Sequence, residues 1–384
     1  MRILILGHGS STHVKRPINQ LLDRSCEVFF AGSENPYPTG RPGYYYLWYP
    51  FFGRCIYRRT GHVIGDLLAK LSFIPLLRYY YNKFKPDITH VHWVDCHAYY
   101  CLQAGLHPLI LSIWGSDINN CFAPGADQRH NNIISQVLSK ANKIIIDSPE
   151  MAGKCSFLAK HDMNTIELLH LGVMPNFLRN FGKNKLEIKS FYHIPEDARV
   201  LLSIRALTPF YQHELILKAF GLVFPRLTKR TVLVFKKFNE MNDNYSRELN
   251  FLAKHLGMEN SIFWINHIAD PQLPNVYSMA DVIINFPVQD TFPITFLEAA
   301  ASQVPVITNA LPSYVNTFAE QYFKMVQDNS VTGLAEALFD ELELLPTPKE
   351  KLSAAHSFVE KNFNQANYIN RLLDIYSDIV QFRN

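Results

Sequence analysis

Short apolar runs alternate with longer amphipathic stretches along the whole of this chain, and no other feature restricts its fold so tightly. "RILILG", "CEVFFAG", "DITHVHW", "PLILSIWG" and "KIIIDS" come first, and "RVLLSIRA", "TVLVFKK", "SIFWIN", "DVIINFP" and "VPVIT" follow after residue 195. A strand covered on both faces reads as a continuous apolar run, and parallel strands need a crossover between them, usually helical. The pattern therefore predicts a doubly wound α/β architecture that occurs twice. Between the two sets, Gly, Pro and Asn break the chain and a basic run interrupts it, which predicts a linker over about 173–195.

The length of 384 residues suits two domains, and 48% hydrophobic residues suffice for two cores. The expected division is an N-terminal domain over 1–175, joined by a helix over 363–384, and a second domain over 190–362. No apolar run reaches the roughly 18 to 20 residues that cross a bilayer, and the N-terminus is too short and polar-ended for a signal peptide, so a cytoplasmic protein is expected. Cys26, Cys55, Cys96, Cys101, Cys121 and Cys155 lack C-x-x-C spacing and read as reduced packing residues. A net charge of +3 gives no reason to expect a nucleic-acid partner.

Ligands of open α/β sheets bind beyond the carboxyl ends of the strands, so residues just after strands are the candidates. After the first strand, Gly7 and Gly9 in "GHGSSTH" permit a tight turn and close backbone approach to a phosphate, or only an ordinary strand-to-helix turn. Thr12 stands where a dinucleotide fingerprint needs its third glycine, so this loop does not support a dehydrogenase. In "VQDTFPITFLEAAASQVPVIT", Asp290 and Glu298 bracket a nearly uncharged stretch. Pro293 suits the first turn of a helix, which puts Asp290 at the helix mouth and Glu298 about a turn inside. Carboxylates can accept bonds from hydroxyls, and the N–H groups around Thr291, Phe292, Pro293 and Ile294 offer a positive helix end for phosphate. Hydroxyls with phosphate describe a sugar nucleotide; the alternative is a helix-entry Asp and a solvated Glu.

The same stretch resembles the E-x7-E signature of the retaining glycosyltransferases of GT-B fold, in particular glycosyltransferase family 4. "VLLSIRALTPFYQHELILKAFGLVFP", "LPNVYSMADVII" and "FVEKNFNQANYINRLLDIY" are similar to further family segments, the last to a C-terminal helix that returns to the N-terminal domain. The resemblance implies two Rossmann-like domains facing a central cleft and a UDP- or GDP-linked sugar as donor, with no tightly bound cofactor and no metal. It implies that Glu298 bonds the donor ribose, that Asp290, shorter than the usual Glu, contacts the transferred sugar, and that Arg205 binds the diphosphate. Tyr211 stands where the family has a second cation, which makes Lys236 and Lys237 the candidate substitutes. "FWINHIAD" matches the segment lining the base pocket, with His267 as a contact.

In the N-terminal half, "LSIWGSDI" resembles the family's "vtvHGsD" strand end, with Trp114 in place of His and Asp117 in the polar lining. His92, from "HVHWVDCH", is a further candidate, either as a substrate contact or as a satisfied core histidine. Residues 44–59 and 73–85 interleave aromatic rings with Arg and Lys, which suits either a membrane interface or a packed core. The interface reading implies a glycolipid acceptor, as in surface polysaccharide or lipopolysaccharide synthesis, and peripheral contact with the cytoplasmic face of the inner membrane. The rival readings are a sugar-nucleotide epimerase or phosphorylase of the same fold, and a catalytically weak binding or scaffold protein.

Overall fold

The computed structural model describes residues 1–32, 34–37, 40–47, 67, 69–159, 163–179, 185–237, 243–266, 268 and 270–381. The chain forms two compact units, one of residues 1–171 with 368–384, the other of residues 172–367.

The first unit carries a sheet in the order β3-β2-β1-β4-β5-β6-β7, built from β1 (Arg2–Gly7), β2 (Glu27–Gly32), β3 (Tyr44–Leu47), β4 (Ile88–His92), β5 (Leu109–Ser112), β6 (Lys143–Ile146) and β7 (Ile166–Leu168). All its pairings are parallel, with Ile5 opposite both Phe30 and His90. The order reverses direction between β1 and β4, which is where a sheet of this kind opens a crevice at the carboxyl ends of its strands. The final helix, Gln365–Gln381, buries Tyr368, Ile369, Leu372, Ile375 and Tyr376, a stripe at helical period. It is fixed within this unit by the Tyr376 hydroxyl, 2.5 Å from His90 Nδ1, and by Arg371, 2.7 Å from Glu167.

The second unit repeats the plan in the order β10-β9-β8-β11-β12-β13, from β8 (Arg199–Ser203), β9 (Thr231–Lys236), β10 (Ile262–Ile265), β11 (Val282–Asn285), β12 (Val306–Asn309) and β13 (Lys324–Val326). Helix His213–Val223 buries His213, Ile216, Leu217, Phe220 and Val223. Helix Ile294–Ala301 joins β11 to β12, and every residue from Thr295 to Ala301 is buried. Every apolar run singled out above became a strand. The linker expectation needs correction, because residues 175–179 and 185–191 are helical and Phe177, Ile188 and Ile194 pack into the core of the second unit. Pro175 opens the first of these helices rather than loosening the chain.

Of the aromatic and basic stretches, Tyr44–Leu47 is an edge strand and residues 48–59 lie outside the described residues. Helix Ile74–Phe84 buries Ile74 and Leu77 and packs Leu76, Tyr80, Tyr81 and Phe84 on the core, while Tyr79 remains exposed. Among the described residues no helix is long and apolar enough to cross a membrane. Cys26, Cys101, Cys121 and Cys155 are buried free thiols.

Candidate functional site

The two carboxylates of the second unit sit at the expected places and find different partners. Pro293 is the N-cap of helix Ile294–Ala301, one residue earlier than a first-turn position, and Asp290 lies in the loop before it. Glu298, in the middle of the helix and 4% exposed, accepts the hydroxyl of Tyr277 on Oε2 at 2.8 Å. Desolvation of a carboxylate is tolerable only with such donors. Burial, then the adjacent Glu298, pushes the Tyr277 phenol well above its ordinary range, so it remains a donor at neutral pH.

Asp290 is 12% exposed and turns toward Arg205, which follows β8. Arg205 Nη2 is 3.0 Å from Asp290 Oδ2 and donates to the Tyr211 hydroxyl at 3.0 Å. The guanidinium carbon lies 4.4 Å from the centre of the Tyr211 ring, a cation–π geometry. Burial is the largest single influence on Arg205 and works against its charge, but Asp290, Tyr211 and Tyr314 together outweigh it and hold its pKa above the ordinary value. Asp290 Oδ2 also accepts from the Tyr314 hydroxyl at 3.1 Å, and Tyr314 accepts from Asn285 Nδ2 at 3.1 Å. The amide of Thr291, expected to offer a donor to phosphate, is turned onto Asp290 Oδ1 at 3.0 Å. Thr291 and Phe292 are buried and Ile294 is half-buried.

The remaining candidates of this unit are more dispersed. Lys236 closes β9, and Lys237 Nζ lies 5.3 Å from the centre of the Trp264 ring. His267 lies outside the described residues. Tyr277, Tyr314 and Asn285, which partner the candidate acids directly or through one another, are not singled out by the sequence. Tyrosine in an apolar context reads as core, and only the buried acids nearby signal that its hydroxyl has work to do.

In the first unit the candidates are tightly packed. A Cβ on Gly7 would stand 2.8 Å from Val14 and 3.3 Å from His92, and one on Gly9 would stand 1.9 Å from the carbonyl oxygen of Glu34. The close approach that Gly9 permits is thus to the chain's own backbone. Asp117 spans two strand ends, accepting from Val94 N at 3.0 Å and from Gly115 N at 2.9 Å, and burial pushes its carboxyl up to about 6. His92 accepts from Trp114 Nε1 at 3.3 Å, which places its proton on the buried Nε2. Burial, then His90 and His13, holds its pKa well below the ordinary range, so it is neutral. His90 bonds Tyr376 and Ser112, and Asp95 bonds His97.

Residues 2–148 match the family model described as "Glycosyl transferase 4-like", and residues 184–355 match "Glycosyl transferases group 1". The chain belongs to glycosyltransferase family 4. It is 21% identical over 243 residues to the D-inositol 3-phosphate glycosyltransferase of Mycolicibacterium smegmatis, a match covering 63% of this chain and 54% of that one. To the alpha-monoglucosyldiacylglycerol synthase of Streptococcus pneumoniae it is 25% identical over 200 residues, covering 52% and 43%. The chain spans about half the length of the curated relatives it matches. The crystal structure of Anabaena HepE in complex with UDP and glucose superimposes with a TM-score of 0.76 over 98% of this chain and 100% of that one, at 14% identity. That likeness is one of fold, and with the two parallel sheets it makes this family 4 member a GT-B protein.

Proposed function

We propose that this family 4 member is a glycosyltransferase that moves a sugar from a UDP- or GDP-linked donor to a hydroxyl of a glycan or lipid-linked glycan, with retention of anomeric configuration. The observation that carries the reading is the acid pair around helix Ile294–Ala301, with Asp290 holding the Arg205 guanidinium and Glu298 held by Tyr277. Glu298 is assigned to the ribose hydroxyls, and Arg205, the helix end at Ile294 and Lys236 or Lys237 to the diphosphate. The negative charge that develops on the departing diphosphate is the term such cations stabilise. A front-face displacement, in which the leaving phosphate takes the acceptor proton, needs no protein base.

In this reading Asp117 and His92 are supports of the acceptor-side unit, because both Asp117 oxygens hold strand ends and His92 Nδ1 holds Trp114. Support for the donor class comes from the Anabaena neighbour that holds UDP and glucose, and for a lipid acceptor from the streptococcal relative named for a diacylglycerol product. Exposed Leu71 and Tyr79, with Lys83 Nζ 5.6 Å from the centre of the Tyr79 ring, support peripheral contact with a membrane surface.

The test is a thermal-shift screen of the purified protein against UDP-, GDP-, ADP- and CMP-linked sugars, followed by transfer assays with the donor that binds. A ligand bound only by the folded state raises its melting temperature. One nucleotide should shift the wild type and fail to shift Glu298→Ala. Binding without transfer to any glycan or glycolipid would leave a sugar-nucleotide binding protein, and no binding at millimolar concentration would overturn the reading.

A further inference from the structure

The sequence departs from the family pattern at Asp290, where Glu is usual, and at Tyr211, where Lys is usual, and both side chains meet the same atom. Arg205 Nη2 lies 3.0 Å from Asp290 Oδ2 and 3.0 Å from the Tyr211 hydroxyl. A carboxylate has about four acceptor positions, and three of those on Asp290 are taken from within the protein: Thr291 N on Oδ1, Tyr314 and Arg205 on Oδ2. Behind them Asn285 Nδ2 donates to Tyr314, and Tyr314 and Asn285 are fully buried.

We propose that in this chain Asp290 is a positioning residue for Arg205 rather than a contact to the transferred sugar, and that Tyr211 and Tyr314 complete a cage around the guanidinium. The inference rests on the reading of Arg205 as the diphosphate ligand. Arginine is flexible, and holding it in one geometry before the ligand arrives removes an ordering cost that binding would otherwise bear. A clamp with Tyr in place of the second cation gains most from such pre-organisation. The shorter Asp leaves its carboxylate within reach of Arg205, Tyr314 and Thr291 together.

The test is a double-mutant cycle read by calorimetric affinity for free UDP and GDP, with UMP and GMP as controls. Effects that act through one partner vanish when that partner is removed. Tyr314→Phe changes no charge, and it should weaken the preferred diphosphate by about threefold or more, leave the monophosphate within about 1.5-fold, and have no further effect in an Arg205→Ala background. Asp290→Asn should likewise alter diphosphate affinity only when Arg205 is present. Should Tyr314→Phe fail to fold, as judged by its unfolding midpoint, the half-buried Tyr211→Phe takes its place in the cycle.

The inference is overturned if Asp290→Asn leaves free diphosphate affinity unchanged and weakens only the intact sugar nucleotide, or if the effects persist without Arg205. Either result leaves the donor-site reading standing. A wild type that binds neither UDP nor GDP overturns both.

Discussion

Tyr277 and Glu298 form a buried pair across two helices, the phenol on Leu273–Met279 donating at 2.8 Å to a carboxylate on Ile294–Ala301. Tyr277 is fully enclosed and Glu298 nearly so. A charged acceptor that loses a buried donor costs about 1–3 kcal/mol, so Tyr277→Phe should lower the stability of the protein by that amount at pH 7. Urea denaturation of both proteins measures it. A midpoint equal to that of the wild type would mean that Glu298 draws its stabilisation from elsewhere.

Arg205→Ala and Glu298→Ala should each reduce kcat/KM for the donor by at least about tenfold, because a hydrogen bond to a charged group is worth roughly 1.5–3 kcal/mol. Steady-state kinetics with folded variants decide this. Wild-type rates would remove both residues from the site.

The strands that cross the middle of each sheet were legible because burial on both faces makes them continuous apolar runs. Of the four edge strands, β10 was legible as "SIFWIN", whereas β3, β7 and β13 were not, since "YYYL", "IEL" and "KMV" are short and carry residues that reach solvent. The spacing of Asp290 and Glu298 placed them around one helix, but it gave no view of Tyr277 and Tyr314. Those hydroxyls arrive from 21 and 24 positions away, by packing of helices and loops that no local pattern records. Gly9 shows the same limit, for its partner is the backbone of Glu34 and a turn glycine gives no hint of it.

Two glycines should respond in opposite directions to alanine. The Cβ of Gly9→Ala would meet a carbonyl oxygen at 1.9 Å, so backbone must move and a loss of several kcal/mol is expected, on the order of other overpacked sites. Gly153 lies exposed in helix Pro149–Ala159 with nothing within 4 Å of an added Cβ. Gly153→Ala should stabilise by about 0.5–1 kcal/mol through helix propensity. Thermal melts of the two variants give the signs directly.

Two buried groups should tilt the pH dependence of stability in opposite senses. His213 donates Nδ1–H to Thr208 O at 3.1 Å, and burial lowers its pKa from 6.5 to about 4. The unfolded chain therefore binds the proton first, and the stability this group contributes is present above pH 6.5 and lost as pH falls toward 4. At 1.36 kcal/mol per pKa unit, about 2 kcal/mol is gone by pH 5. Asp117, raised by burial from 3.8 to about 6, contributes stability below 3.8 that is lost as pH rises through 6. Between pH 7 and pH 5 the stability difference between wild type and His213→Phe should fall by about 2 kcal/mol, and that between wild type and Asp117→Asn should rise by about 1 kcal/mol. Urea titrations at pH 5, 6 and 7 test both slopes. Parallel lines for wild type and His213→Phe would show that His213 takes up its proton without unfolding, through an opening of the packing made by Tyr211, Phe235 and Tyr245 around its ring.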